Sequence, residues 1–313
     1  MKIRFIESVF GRAALLCKKN INVKCPKCGK SKLSIRLEDD VNHCWVCGLS
    51  GATLLPILKK FGSKEQVVEY TTVFLPENPK FNRIKTSLED EQETQKLQLP
   101  SDFKLLALEE DEKNHYIRYV TKRNLTRKDL WFWKLGVSNE QKLFRRVIVP
   151  SFDCNGDLNY YVARDTSDSN FMKYVNCDVN KNDIIFNEIN INWSQRLTLV
   201  EGTFDLMKCK GNATCLLGSS ISEKSLLFNK ILEHNTPIVL LLDSDMKSKV
   251  QVIAKKLHEY DIETYVADLG KRKDPGEMTT NEVSDVIANC KQWEWQSYLR
   301  QKIYAVNNCH MKL

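Results

Sequence analysis

Five apolar residues in a row, Ile238-Val239-Leu240-Leu241-Leu242, stand directly before Asp243-Ser244-Asp245. A run this short and this uniformly apolar reads as a strand buried on both faces, at the centre of a parallel sheet. The two aspartates fall where such a strand leaves its sheet, the edge at which open α/β folds bind ligands. A spacing of two residues puts both carboxylates on one side of an extended backbone. Converging carboxylates repel unless a cation lies between them, and hard oxygen ligands favour Mg²⁺ or Mn²⁺. The competing reading is a solvated strand end whose Asp or Ser caps the next helix.

The flanking sequence supports the metal reading, because it repeats the pattern. Leu197-Thr198-Leu199-Val200 reads as a strand and is followed at once by Glu201-Gly202-Thr203-Phe204-Asp205, with a helix expected through 206–210. A second strand is expected over 213–217, ending at Gly218-Ser219-Ser220, then a helix over 222–233. After the opening strand, 247–260 places Val250, Ile253, Ala254 and Leu257 on one helix face, and 263–267 reads as a fourth strand leading to Lys273-Asp274-Pro275-Gly276-Glu277. Repeated strand–helix units predict a parallel sheet covered by helices, with right-handed crossovers. Glu201, the pair Asp243 and Asp245, and Asp274 then share one edge of one sheet.

Upstream, residues 144–164 read as a β-hairpin: an apolar strand, a turn at Asn155-Gly156, and an alternating strand ending in Arg164. A short strand over 171–176 follows. Arg145, Arg146, Arg164 and Lys173 lie on or beside these strands, where a sheet can aim cations at phosphates. Residues 115–122 read as a helix, a second starts near 125–129, and Trp131, Phe132 and Trp133 are expected in the core.

Near the N-terminus, Cys25-Pro26-Lys27-Cys28 and Cys44-Trp45-Val46-Cys47 form two C-x-x-C pairs. Each such turn points two thiolates at one centre, and two turns complete a tetrahedron, which is a strong zinc signal. Gly29 and Gly48 let the backbone turn after each pair. Leu33–Leu37 alternates as a strand between them, so the segment reads as a zinc ribbon holding one structural Zn²⁺. His43 stands beside Cys44, but the four cysteines already close the tetrahedron. Lys24, Lys27, Lys30, Lys32, Arg36 and Trp45 suit single-stranded nucleic acid, with charge for phosphates and one ring for stacking. Helices are expected within 5–16 and over 52–61.

The chain has 11 cysteines, and the seven outside the pairs are scattered, so a reduced compartment fits better than a disulfide framework. Residues 1–60 hold 12 Lys/Arg against 4 Asp/Glu, and residues 113–200 hold 14 against 9, so two basic regions flank the acidic, proline-containing stretch 76–102. That stretch reads as a linker, and the basic regions name nucleic acid as the leading partner. No apolar run approaches the ~20 residues of a membrane span, and the charged N-terminus does not read as a signal peptide. The expected location is the cytoplasm of the cell or host, with no membrane partner.

The order of these pieces resembles the DnaG-type DNA primases, most nearly the short stand-alone primases of tailed phages. The resemblance covers about residues 22–50 and 143–280. It rests on the paired cysteines and on Arg146-Val147-Ile148-Val149-Pro150, followed by Asp153, Gly156, Leu158 and Ala163-Arg164. It rests further on Phe171-Met172-Lys173-Tyr174 and on the Toprim set: E-G-x-x-D at Glu201–Asp205, D-x-D at Asp243–Asp245 and K-D-P at Lys273–Pro275. The resemblance implies an α/β protein with an N-terminal zinc ribbon, then a mixed basic β/α subdomain and a Toprim parallel α/β core. It also implies synthesis of short RNA primers on a single-stranded DNA template from ribonucleoside triphosphates. Glu201, Asp243 and Asp245 would hold catalytic Mg²⁺ or Mn²⁺, Asp274 would assist, and Glu201 would also serve as general base. Arg145, Arg146, Arg164 and Lys173 would bind nucleotide or template. The chain departs from the family's frequent D-P-D at Gly276, with Glu277 next in line, and has Asn187-Glu188 near a place where the family carries a further basic residue.

The expected organisation is a zinc-ribbon DNA-binding domain at 1–62, a linker at 63–101, the basic part of an RNA polymerase domain at 102–196, the Toprim subdomain at 197–289 and a C-terminal helix or tail at 290–313. No G-x-x-x-x-G-K-[ST] occurs, so a replicative hexameric helicase would be supplied by a separate chain. The C-terminal aromatics Trp293, Trp295, Tyr298 and Tyr304, with Leu299 and Ile303, suit a helix that packs on the core or docks on that helicase. Two other classes remain open to the same motifs: a Toprim DNA-cleaving enzyme of nuclease or topoisomerase type, and a non-catalytic Toprim adaptor that only clamps DNA.

Overall fold

A computed structural model of the chain describes residues 1–17, 19–76, 96–167, 172–270 and 274–300. Phe171, Lys273, residues 77–95 of the expected linker, and Ile303 and Tyr304 lie outside the described residues. The chain divides into two compact units, the first comprising 1–93, 221–236 and 259–261 and the second the remainder.

The first unit opens with helix α1 (Lys2–Phe10), which buries Phe5, Ile6 and Phe10. Strands β1 (Ala14–Cys17), β2 (Asn20–Val23), β3 (Leu33–Arg36), β4 (Asn42–Cys44) and β5 (Ser50–Gly51) form one antiparallel sheet in chain order. Alternation is followed closely: Ile21, Val23, Leu33 and Ile35 are all fully buried, and Ile21 lies opposite Ile35 as Val23 lies opposite Leu33. Leu33 also lies opposite Cys44, so the register brings the two C-x-x-C turns to the same end of the sheet.

Helices α2 (Leu55–Phe61) and α3 (Lys64–Glu69) follow, the second started by a capping box of Ser63 and Gln66. A π-helical turn continues over Tyr70–Phe74. Residues 64–74, inside the expected linker at 63–101, are therefore helical, and Tyr70 is fully buried. Its hydroxyl donates to Asp40 Oδ2 at 2.8 Å, while Lys2 Nζ lies 2.8 Å from Asp40 Oδ1. A buried carboxylate needs such partners, and supplying them ties α1, the ribbon and this turn together. Thr53 Oγ1 likewise donates to Asn229 Oδ1 at 2.8 Å within the same unit.

The second unit holds two sheets. In the first, β6 (Lys104–Leu105) precedes α4 (His115–Lys122) and α5 (Arg127–Phe132), and then come β7 (Gly136–Val137), β8 (Arg146–Phe152), β9 (Leu158–Asp165) and β10 (Tyr174–Asn176). The sheet order is β10-β9-β8-β7-β6, all antiparallel, with the β8–β9 hairpin as its centre. Asp153 Oδ1 accepts from the N–H groups of Asn155 and Asp157, closing the hairpin turn at which Gly156 has φ 85°. Trp133 is buried, whereas Trp131 and Phe132, expected in the core, are 49% and 57% exposed. A helix as short as α5 buries one narrow face, and Leu130 occupies it.

The second sheet contains β11 (Leu197–Val200), followed by α6 (Thr203–Leu206), then β12 (Ala213–Cys215), α7 (Leu226–His234, a helix of the first unit), β13 (Ile238–Leu240), α8 (Lys247–His258), β14 (Thr264–Val266), α9 (Thr280–Ala288) and β15 (Lys291–Gln292). Its order is β12-β11-β13-β14-β15, parallel except for β15. This is the expected α/β architecture, with the apolar run at its centre: Ile238, Leu240 and Leu241 are fully buried, as are Leu197, Leu199 and Val200. Burying each such side chain contributes roughly 1.5–3 kcal/mol. One apolar cluster takes Val147, Val149 and Val162 from the first sheet and Val200, Val239 and Leu241 from the second. α6 starts earlier than the expected 206–210 because the Asp205 side chain accepts the Gly202 N–H at 3.0 Å and begins the helix at the strand end. Trp293 Nε1 donates to Gln251 Oε1 on α8 at 2.7 Å, which holds the first C-terminal aromatic against the core.

Candidate active site

The four paired cysteines converge as their spacing predicts, with every Sγ within 4.8 Å of the others. Cys25 and Cys47 Sγ are 3.6 Å apart, and Cys28 and Cys44 Sγ 3.7 Å. Tetrahedral zinc with thiolates at about 2.3 Å places sulfurs ~3.8 Å apart, so the cluster fits Zn²⁺. Burial pushes the Cys25 thiol up to about 12. Burial acts on Cys44 in the same direction, but N–H groups of Cys47 and Val46 and the neighbouring sulfurs outweigh it and bring Cys44 down to about 7. Gly29 and Gly48, both at φ 72°, return N–H groups to the carbonyls of Cys25 and Cys44. His43 is outside the cluster, its ring edge-on to Trp45 at 4.7 Å, and Trp45 is 74% exposed.

The second constellation sits at the C-terminal edge of the parallel sheet. β11 and β13 are hydrogen-bonded neighbours with Leu199 opposite Leu240, so Glu201 and Asp243 leave the sheet on adjacent strands. Glu201 Oε2 and Asp243 Oδ1 are both buried with no hydrogen-bond partner. Burial pushes Asp243 up to about 7, and repulsion from Asp205, Glu201, Asp274 and Asp245 adds to it. Asp205 rises to about 6, chiefly by burial, against the opposing N–H of Gly202. Asp274 Oδ1 accepts the Glu277 N–H at 3.0 Å, which turns the chain after it. A Cβ at Gly276 would stand 3.0 Å from both Asp205 Oδ1 and Asp274 Oδ1, so glycine lets the backbone approach these two carboxylates.

Glu201, Asp205, Asp243 and Asp274 line a cavity of about 530 Å³ together with Arg123, Arg164 and Lys173. Arg164 Nε donates to the Tyr119 hydroxyl at 3.2 Å, and its guanidinium lies 4.5 Å over the Tyr174 ring. The Arg123 guanidinium lies 4.8 Å over Phe204 and 4.9 Å over Tyr119. Stacking on aromatic faces holds a guanidinium in place while leaving its N–H fork available to an oxyanion.

The expected residues divide. Glu201, Asp243, Asp274, Arg164 and Lys173 share the cavity. Asp245 is exposed in the turn Ser244–Met246 and does not line it; the same-side argument needed extended backbone, and the chain turns at Ser244. Arg146 is 5% exposed, donates to the carbonyls of Met172 and Lys173, and lies 3.5 Å from Asp165. It therefore holds the segment that carries Lys173 rather than facing a ligand. Arg145 is exposed with φ 57°, and its carbonyl accepts from Thr166. Two cavity residues, Asp205 and Arg123, are absent from the sequence-based set. Asp205 was visible as the last letter of E-G-x-x-D. Arg123 closes α4 and carried no signal of its own.

Partnerless buried carboxylate oxygens call for a cation, and a hard divalent ion takes carboxylate ligands; among the described residues only the four cysteines bring three or more ligand atoms within 4.8 Å of one another, so these carboxylates would have to draw in around an ion. Stacked guanidiniums in the same cavity fit phosphate. Fold and site define a zinc-ribbon protein whose parallel α/β core carries acidic and basic side chains around one cavity. No protein-family model matches the chain, and no curated protein does. Among solved structures, the chain is similar to the zinc-binding and RNA polymerase domains of the Aquifex aeolicus primase, with TM-score 0.49 and 15% identity over 94% of this chain and 84% of that one. It is similar to the RNA polymerase domain of Mycobacterium tuberculosis primase DnaG, with TM-score 0.45 and 16% identity over 59% and 79%. It is also similar to a chain in a bacteriophage T7 complex of lagging-strand DNA polymerase with primase domains, with TM-score 0.41 and 18% identity over 55% and 91%. These are distant likenesses, and what the site can do follows from its own residues.

Proposed function

We propose that the chain is a DNA primase that joins ribonucleotides into short RNA primers on single-stranded DNA. The observation that carries this reading is the pair of partnerless carboxylate oxygens, Glu201 Oε2 and Asp243 Oδ1, in a cavity shared with Arg123, Arg164 and Lys173. In nucleotidyl transfer the primer 3′-oxygen bonds the α-phosphorus of the incoming triphosphate, the bond to the β-phosphate oxygen breaks, and pyrophosphate leaves. Glu201 and Asp243, with Asp205 and Asp274, would hold Mg²⁺ or Mn²⁺, and Asp245, whose charge acts on Asp243 from the turn beyond it, would add to their negative field. Bound divalent ions lower the pKa of the attacking hydroxyl and neutralise charge on the leaving group.

The chain's own groups do the rest. Glu201 accepts the proton of the 3′-hydroxyl. Arg164, Lys173 and Arg123 bind the triphosphate, and their preset positions mean that little reorganises as charge moves toward pyrophosphate. The zinc ribbon, within 1–62, reads the start site on template with its lysines and Trp45. Residues 102–196 hold template and nucleotide, and 197–289 carry the chemistry. A separate hexameric helicase delivers the template strand, and the enzyme works in the cytoplasm of the cell or host.

The test uses purified protein, single-stranded DNA, the four ribonucleoside triphosphates and Mg²⁺, with and without a hexameric replicative helicase. Short RNA is expected. Cleaved DNA without RNA, even with helicase, would instead establish a DNA-cleaving Toprim enzyme, and DNA binding without either product would establish an adaptor.

A further inference from the structure

Lys208 is a lysine sealed inside the second unit. It is 1% exposed, and lysine is almost never fully buried unless its ammonium is held by partners. Its Nζ donates to the carbonyl oxygen of Arg123. That carbonyl stands at the end of α4, where the last carbonyls lack helical donors and carry partial negative charge. The chain reversal after α4 satisfies the carbonyls of Val120 and Thr121 through the N–H groups of Leu125 and Asn124, and Asn124 takes φ 55° to do so. The Arg123 carbonyl is met from outside the helix, by Lys208.

Phe204, four residues before Lys208, lies under the guanidinium of the same arginine at 4.8 Å. One short segment thus grips Arg123 at both ends, ring beneath the head and ammonium on the main chain. Asp205, which lines the cavity, sits between the two gripping residues. We propose that Lys208 is a positioning residue that, with Phe204, sets where the Arg123 guanidinium stands relative to the carboxylates of Glu201, Asp205, Asp243 and Asp274. The proposal rests on the reading of Arg123 as a triphosphate-binding residue.

The test is a double-mutant cycle on Lys208→Met and Arg123→Ala, read as the Kd for ATP in the presence of Mg²⁺ and as the KM for ribonucleotides, with melting curves alongside. Removing a hydrogen bond from a charged donor is expected to weaken ATP binding about tenfold in Lys208→Met. Adding it to Arg123→Ala is expected to change affinity less than about twofold, since the group being positioned is gone. Effects that multiply in the double variant, or a wild-type Kd in folded Lys208→Met, would overturn the proposal. Should Lys208→Met fail to melt as a folded protein, the same cycle with Phe204→Leu, which removes the ring beneath the Arg123 guanidinium, gives the same two outcomes. An unchanged Kd in Arg123→Ala rejects the role of Arg123 and the proposal with it. A wild-type chain that binds ATP but makes no RNA rejects the primase reading alone, because the cycle still reads; one that binds no ATP rejects both.

Discussion

Glu201 and Asp243 stand at the ends of neighbouring strands, and each keeps one buried carboxylate oxygen with no hydrogen-bond partner. Buried oxygens of this kind disfavour the folded protein unless a cation or a proton neutralises them. Asp243→Ala is therefore expected to abolish primer synthesis and Mn²⁺ binding by the second unit, while zinc content stays at one per chain. Retained synthesis in that variant removes the metal assignment.

Asp243 and Asp205 predict a pH dependence with a definite sign. Asp243 at about 7 and Asp205 at about 6 are raised by burial from an unfolded value of about 4. A carboxyl raised on folding binds its proton more tightly in the folded state, so its contribution is most favourable below that unfolded value and is lost as pH climbs to about 7. In chelator, the melting temperature should fall between pH 5 and pH 8. Mg²⁺ should restore it at pH 8 and do little at pH 5. Asp243→Asn should flatten the profile, and a metal-free melt that rises over this range contradicts the placement of both groups.

Arg146 and Arg164 should separate cleanly in mutagenesis. Arg146→Ala removes a cation from beside buried Asp165 and the donor to the Met172 and Lys173 carbonyls, and is expected to cost about 3 kcal/mol of stability in a denaturant titration. Arg164→Ala removes a group from the cavity, so its main effect should be a raised KM for ribonucleotides, with stability changed by less than about 1 kcal/mol. The opposite pattern would exchange their roles.

Gly276→Ala tests how close the backbone must come. A methyl group there meets two carboxylate oxygens at 3.0 Å, so Asp205 or Asp274 must move. The variant should bind Mn²⁺ more weakly than wild type in a titration while its zinc content is unchanged. Wild-type affinity would mean that neither carboxylate needs its present position.

Zinc removal should act locally. With both knuckles open, the register that sets Leu33 opposite Cys44 loses its clamp, and limited proteolysis should cut within residues 20–51. Cys28→Ser should show the same cuts without chelator, and protection of this segment in metal-free protein would make the zinc dispensable for the ribbon.

Much of this was legible in the sequence because it depends on local pattern. The apolar run before Asp243 is a central parallel strand, the β8–β9 hairpin follows its alternation and turn, and two C-x-x-C pairs meet in one cluster. The misreadings share a cause: each depended on where the chain bends or on what lies across from it. Asp245 was aligned with Asp243 by assuming an extended backbone that ends at Ser244. Arg146 looked like a ligand-facing cation because nothing in the sequence shows Asp165 beside it across the hairpin. Residues 64–74 looked like linker because the burial of Tyr70 depends on Asp40, thirty positions away. Arg123 was invisible because its place comes from Phe204 and Lys208, which lie beyond eighty residues of intervening chain.

Helix α7 joins β12 to β13 in the chain yet belongs to the first unit, where Asn229 accepts from Thr53. The unit with the ribbon is thus assembled from three separated stretches of the chain. Deleting residues 1–93 would leave behind a helix whose Phe228, Ile231 and Leu232 are buried in the intact protein, stripped of its companions. A different ribbon grafted onto this chain has to arrive with a matching α7, so the two segments are expected to be exchanged together or not at all.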